Sequence, residues 1–439
     1  MINKHTSIFI KFISASGILF ALSYILGVNN LIALLLLALV LYARIYFPNL
    51  KNENFRILNL SLLFTLFFYL SYTITKQGWP ALFIPFSGIG ILSMLIFDNL
   101  VIALLLVVAS SMAIAAINGN NLSFGLLSLV SGLLAVLLVK GARRRGVIIR
   151  SGVILGLLQA LMLFLIKGPG YYQAKDYIFI ALNPVVYSFL ILGTLPVFEY
   201  LFNAFTNISL LELADFNHPL LQRMIMEAPG TYHHSLVVGN LAETAAKAVG
   251  AHTLLARIGA YYHDIGKLSK PDYFSENQAL TVNKHDDLAP SISKLVIMNH
   301  VKEGVELAQK YHLNPRIIDF IQQHHGSSLV YYFYRRAIEN QEEEKNIEED
   351  GFRYPGPKPG SKETAIVMLA DSVEAASRCL KEPTPAKIEE LVHKIINNKF
   401  IDGQLDECEL TLKEIEVIAK VFVRILSGIY HGRVNYPKA

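Results

Sequence analysis

An all-α protein in two unlike halves is the fold class that this sequence predicts, and three observations predict it. Residues 1–205 are almost continuous apolar runs divided by short breakers. Those runs have the length of bilayer-spanning helices, about 20 residues each. Residues 210–439 hold most of the charge, read as a succession of amphipathic helices, and contain every one of the 13 histidines except His5. A chain that is 53% hydrophobic and 17% charged over 439 residues is too apolar to be soluble throughout. The expected organisation is a membrane domain over 1–205, a linker helix over 206–228, and a cytosolic all-α domain over 229–439.

The membrane half offers eight spans, at about 8–27, 30–47, 57–75, 80–97, 99–117, 122–139, 147–166 and 177–202. The turns between them carry Gly, Asn and Pro, as in Gly78-Trp79-Pro80 and Lys167-Gly168-Pro169-Gly170. Trp79, Tyr171 and Tyr172 suit the interfacial belt, and Arg150 can snorkel from the first turn of the seventh span. Pro85, Pro184 and Pro196 fall inside predicted helices as kinks. With the N-terminus inside, ten basic residues lie at cytoplasmic ends (Lys4, Lys11, Arg44, Lys51, Arg56, Lys140, Arg143, Arg144, Arg145, Arg150) against three outside (Lys76, Lys167, Lys175). That bias sets a multi-pass inner-membrane protein with its N-terminus and second half in the cytoplasm. Reading residues 1–27 as a cleaved leader would leave seven spans and conflict with the Arg143–Arg145 run. Asp98 sits at a turn and Glu199 near a helix end, so no buried charges mark an ion path.

In the second half, Cys379 and Cys408 form neither a disulfide framework nor a CxxC motif, which fits a reducing compartment. The net charge of +4 is modest and no basic stripe appears, so DNA and RNA polymers are not expected partners. The linker breaks at His218-Pro219, which makes His218 a turn residue. Thr231 is the expected N-cap of the next helix, and one of His233 and His234 in its first turns should face inward. A helix then ends in Tyr261-Tyr262-His263-Asp264-Ile265-Gly266-Lys267. Adjacent helical residues point about 100° apart, so a His-Asp pair suits one metal centre, with imidazole on one ion and carboxylate between two. Alone, it reads equally as a surface pair at a helix end. The company it keeps decides: His233-His234, His300, His324-His325 and Asp371 all sit in apolar, helix-like contexts. A buried Asp371 inside TAIVMLADSVEAASR needs a partner, and a metal supplies one.

A second pair, His285-Asp286, lies in the polar loop 271–290 and reads as a rim or lid element. Gly326 looks like a helix C′ cap. Residues 339–350 are an acidic, solvated run, and Phe352-Arg353-Tyr354-Pro355 opens a stiff segment that is either a nucleotide-facing lid or a plain structured loop.

EAPGTYHHS, AYYHDIGK, HVKEGVELA, IIDFIQQHHG, FRYPGPKP and IVMLADSVEAA together resemble the cytosolic domain of the membrane-anchored, seven-transmembrane HD-domain phosphodiesterases that open cyclic di-AMP. The resemblance implies the all-α HD fold, two divalent ions, manganese or iron, and the ligands His234, His263, Asp264, His300, His324, His325 and Asp371. It implies cyclic di-AMP hydrolysis to pApA, a lipid-bilayer setting and a possible homodimer. Asp264 would bridge the ions and Lys267 would orient a phosphate or the leaving group. Tyr273, Asn277, Gln278, Arg353 and Tyr354 are the expected substrate walls. Two departures stand out: the family's large external domain after the first span has only a few residues here, and Lys284 stands where Pro is expected. Gly326-Ser327-Ser328 replaces the Gly-Tyr-Pro of cyclic di-GMP enzymes, and Gly266-Lys267 replaces the Glu-Asp of guanosine-tetraphosphate hydrolases. The remaining alternatives are an HD phosphodiesterase for another nucleotide and a catalytically silent nucleotide-binding membrane receptor.

Overall fold

The structure, a computed structural model, describes residues 54–202, 204–278, 283–339 and 347–430. The first two expected spans lie outside the described residues. The chain divides into two compact units, Met1–Leu211 and Glu212–Ala439. Among the described residues there is no sheet, only an isolated antiparallel bridge between Leu329 and Arg353.

In the first unit, α1 (Asn54–Lys76) leads to a short 3-10 turn (Ala81–Phe83) and then α2 (Gly88–Phe97), α3 (Leu100–Ile117), α4 (Leu122–Val139), α5 (Arg145–Lys167) and α6 (Ala174–Phe202). The last four are long and apolar enough to cross a membrane. Their outward faces carry Leu157, Leu165, Leu182 and Leu190, and their contacts use small residues. A Cβ on Gly152 would meet Ser188 and the Pro184 carbonyl, and one on Gly156 would strike the Ala181 carbonyl, so α5 and α6 touch backbone to backbone. Pro184 and Pro196 lie inside α6 as expected.

The expected span 80–97 is not one helix. Pro85 removes an N–H and crowds the carbonyl four residues earlier, and the chain stays non-helical until Gly88. Its freed carbonyls are satisfied by side chains. Asn183 Nδ2 donates to Leu82 O and Ile84 O, both at 2.8 Å, and Tyr187 Oη donates to Phe83 O at 2.9 Å. A non-helical stretch at membrane depth is tolerated when it is covered by protein in this way.

The second unit begins in α7 (Asn207–Leu213) and continues through α8 (Pro219–Glu227), α9 (Pro229–Ala248), α10 (Thr253–Tyr262), α11 (Pro290–Lys310), α12 (Pro315–Gln323), α13 (Tyr331–Glu339), α14 (Lys362–Ser377), α15 (Pro385–Ile401) and α16 (Leu412–Ile429). Thr231 is not the N-cap of α9. Pro229, with its preset φ and no N–H to lose, starts the helix two residues earlier behind Ala228. Thr231 instead donates from Oγ1 to Glu276 Oε1 at 3.0 Å. α14 is the central helix: Ala365 to Ala370 and Val373 are fully buried, and Ser361 with Thr364 closes a capping box at its start.

Gly266 fixes the distance between the His-Asp motif and α11. A Cβ there would collide with the His300 carbonyl oxygen and the Gly304 backbone nitrogen. Overpacking at such a backbone contact costs about 1–3 kcal/mol. Gly266→Ala is therefore expected to lower unfolding stability by that amount. Gly428→Ala, where no atom lies within 4 Å of the added carbon, should be neutral or stabilising. Equal stabilities of the two variants in denaturant unfolding would contradict the contact.

Candidate metal centre

Seven side chains from five helices or their ends converge. His234 comes from α9, His263 and Asp264 from the end of α10, His300 from α11, His324 and His325 from the end of α12, and Asp371 from α14. They form two ligand groups, His234–His263–Asp264–Asp371 and Asp264–His300–His324–His325, in each of which the donor atoms lie within 4.8 Å of one another. Asp264 belongs to both, and its two oxygens divide the work. Oδ2 lies 3.1 Å from His263 Nε2 and 3.7 Å from His234 Nε2, whereas Oδ1 lies 3.3 Å from His300 Nε2 and 3.6 Å from His324 Nε2. Asp371 faces both groups too, with Oδ1 3.0 Å from His234 Nε2 and Oδ2 3.7 Å from His325 Nδ1.

The helix geometry aims the rings. Nδ1 of His263, His300 and His324 each donates to the carbonyl three residues back: Ala260 at 2.7 Å, Ile297 at 2.5 Å and Ile321 at 2.9 Å. A carbonyl only accepts, so the proton is on Nδ1 and the Nε2 lone pair points inward. His234 Nδ1 is held by Glu374 Oε2 at 2.5 Å, a carboxylate behind an imidazole ligand. Consequently the Nε2 atoms of His300 and His324 face each other at 3.2 Å with no proton between them unless one ring is charged.

Metal ions fit this donor set. His263 Nε2 and both oxygens of Asp264 are buried without a hydrogen-bond partner, which is costly for a carboxylate unless a cation meets it. Lys267 Nζ lies 2.8 Å from Asp264 Oδ2 and 2.7 Å from Glu276 Oε1, an ion-pair contact to Asp264 without hydrogen-bond alignment. Burial pushes the Asp264 carboxyl upward, but His263 and Lys267 outweigh it and hold it well below the usual range. Burial alone would lower His263; with no cation between them, Asp264 and Asp371 reverse this and raise it to about 10, so a metal bound at Nε2 would take the place of a proton that the two carboxylates otherwise favour. Burial brings His300 down to about 4 and His325 well below its ordinary value. Such divergent imidazoles in one cavity mark a functional site.

The other expected residues are placed as follows. His233 is exposed and His218 packs edge-on to Tyr262, so neither joins the centre. His285 is buried, not solvated: Nε2 donates to Tyr273 O at 2.8 Å and the ring packs against Phe333, outside both ligand groups. Tyr354 stacks on His325 with centroids 4.3 Å apart. Asn277 is engaged with Thr231, Gln278 with Asp272 O, and Arg353 with Glu349, Asp402 and Ser327 O. Two acids escaped the sequence reading. Glu374 stands three residues after Asp371 on one helix face, a spacing visible in ADSVEAA, whereas Glu276 carries no local signal.

Residues 22–206 match the family model described as a 7TM receptor with intracellular HD hydrolase, and residues 231–376 match the HD domain. That description names seven spans where the sequence suggests eight, and the match begins inside the first expected span. The chain is 39% identical over 430 residues to the cyclic-di-AMP phosphodiesterase PgpH of Bacillus subtilis, covering 94% of this chain and 60% of the relative. It is 37% identical over 394 residues to PgpH of Listeria monocytogenes, covering 87% and 53%. The chain thus spans between half and two thirds of the length of these relatives. A crystal structure of the L. monocytogenes PgpH HD domain in complex with cyclic-di-AMP is 48% identical, covers 50% of this chain and all of that one, and has a TM-score of 0.47.

Elemental analysis checks the ligand assignment. His263→Ala should strip metal from the protein, and His285→Ala should keep the wild-type content. Glu374→Gln should weaken metal affinity about 10- to 100-fold through loss of the His234 support. Equal metal loss in the His285 and His263 variants would overturn the assignment.

Proposed function

We infer the activity from the family: the chain belongs to the membrane-embedded proteins with an intracellular HD hydrolase domain, and its second unit holds both ligand groups of a dinuclear site. The reading is a multi-pass inner-membrane phosphodiesterase whose HD domain lies in the cytoplasm. It hydrolyses cyclic di-AMP to pApA with two divalent ions, manganese or iron. The single observation that carries the chemistry is Asp264, whose two oxygens each face a separate imidazole group.

His234, His263, Asp264 and Asp371 would hold one ion, and Asp264, His300, His324 and His325 the other. Two such ions supply Lewis acidity to the phosphoryl oxygens and lower the pKa of water bound to them. The chain's own groups do the rest. Five neutral imidazoles and two carboxylates leave two divalent ions with net positive charge, which favours the dianionic character that builds on the reacting phosphate. Burial would lower Lys267, but Asp264 and Glu276 raise it above the ordinary lysine value, so it supplies a fixed positive charge to a phosphate or leaving oxygen and does not donate a proton. Tyr354 holds the His325 ring from behind.

The centre acts on the phosphodiester and does not read the base. Adenine preference is drawn from the relatives, which are named as cyclic-di-AMP phosphodiesterases. Adenine offers an N6 donor where guanine offers an O6 acceptor, and a polar wall built for one leaves groups unpaired against the other, worth up to ~10⁴ in discrimination. Tyr273, Asn277, Gln278, Arg353 and Tyr354 are the proposed walls, with Asn277, Gln278 and Arg353 fixed in place by hydrogen bonds within the chain. One cut is expected, because the opened product loses the ring constraint that presents its second phosphate. Product analysis with several cyclic dinucleotides tests this. Cyclic di-AMP should give pApA with cyclic di-GMP a poor substrate; equal turnover of the two would refute the base preference.

A further inference from the structure

Lys399, in the last turn of α15, is a partly buried cation with no carboxylate in direct contact among the described residues. Its Nζ donates to Ser328 Oγ at 2.6 Å, and among the described residues it makes no ion pair. Three other cations near the centre and its strap are compensated: Lys267 by Asp264 and Glu276, Arg353 by Glu349 and Asp402, and Lys358 by Asp406. An ammonium has three donors, so two of those on Lys399 have no partner among the described residues.

Its position is tied to the metal centre. Ser328 N–H donates to the carbonyl of the ligand His325 at 3.0 Å, and Tyr354 N–H donates to Ser328 O at 3.0 Å while its ring stacks on His325. The Lys399 ammonium thus stands on the strap that follows the His324-His325 pair. Burial lowers its pKa; the charges of Asp371 and Asp402 oppose that fall and Arg353 adds to it, so Lys399 shares the electrostatic neighbourhood of the ligand Asp371 and of the Arg353–Asp402 pair.

A cyclic dinucleotide carries two phosphodiesters, and the metal centre engages one. The other must leave water beside a protein wall, where an unpaired anion is costly. Lys267 serves the phosphate at the metal centre, and Arg353 and Lys358 are each already paired with carboxylates. We propose that Lys399 binds the second, uncleaved phosphate of the ring, with Ser328 aiming the ammonium. This rests on the cyclic-dinucleotide reading above and adds to it the residue that distinguishes a two-phosphate substrate from a simple diester.

The test uses the full chain in detergent micelles, loaded with manganese, and two substrates: cyclic di-AMP and bis(p-nitrophenyl) phosphate, which has one phosphate. Lys399→Gln should lower kcat/KM for cyclic di-AMP about 10- to 100-fold, mainly through KM, the range for a lost hydrogen bond to a charged group. Turnover of bis(p-nitrophenyl) phosphate should stay within about twofold of wild type, and Lys399→Arg should recover most of the cyclic di-AMP activity. A Lys399→Gln enzyme with unchanged cyclic di-AMP kinetics overturns the proposal, and so does an equal loss on both substrates, which would make Lys399 a structural prop of the strap. A wild-type protein that hydrolyses bis(p-nitrophenyl) phosphate but not cyclic di-AMP overturns the substrate reading itself.

Discussion

The second unit is built around one buried carboxylate. Asp264 is 1% exposed, and neither of its oxygens has a hydrogen-bond partner. Removing a carboxylate from water costs several kcal/mol unless opposite charge meets it. Everything nearby serves that need. Two pairs of imidazole nitrogens face its two oxygens, Lys267 leans on one side, and Asp371 repeats the arrangement across the cavity. The helices converge because each contributes a ligand at its end or on its buried face. The close backbone approach at Gly266 and Gly304 lets α11 bring His300 to within 3.3 Å of Asp264.

A different constraint governs the first unit. Backbone polar groups in an apolar surround must be satisfied internally. Four helices meet most of that demand through their own ladders, which in α6 lose a donor at Pro184 and at Pro196. The segment between Pro80 and Gly88 cannot, and Asn183, Tyr187 and Ser128 accept the task from α6 and α4. At the end of α6, Glu199 accepts from the hydroxyls of Thr206 and Ser209, both at 2.5 Å, so this acid organises a turn.

The sequence made the helices legible wherever the apolar pattern was long and its stops were clear: 122–139 was expected and is Leu122–Val139. It misled where a proline carried two readings. Pro85 was expected to kink a span and instead separates the 3-10 turn Ala81–Phe83 from α2, because it removes an N–H and crowds the carbonyl four residues earlier. The seven residues that the family resemblance implied as ligands fall into the two clustered His/Asp groups. The supporting residues were not legible. Glu276 reaches Lys267 from a loop, and only the folded chain brings them together. Arg353 was singled out for its charge beside aromatics, yet Glu349, four residues before it, and Asp402 hold its guanidinium. His285 shows the same limit in reverse: a polar loop composition concealed a buried ring.

The central claim is that one carboxylate joins two metal sites. Anomalous diffraction at the manganese or iron edge from the metal-loaded protein addresses it directly. Two peaks separated by roughly 3.5–4 Å, with Asp264 between them, are the expected result. A single peak, or two peaks of which only one touches Asp264, would contradict it.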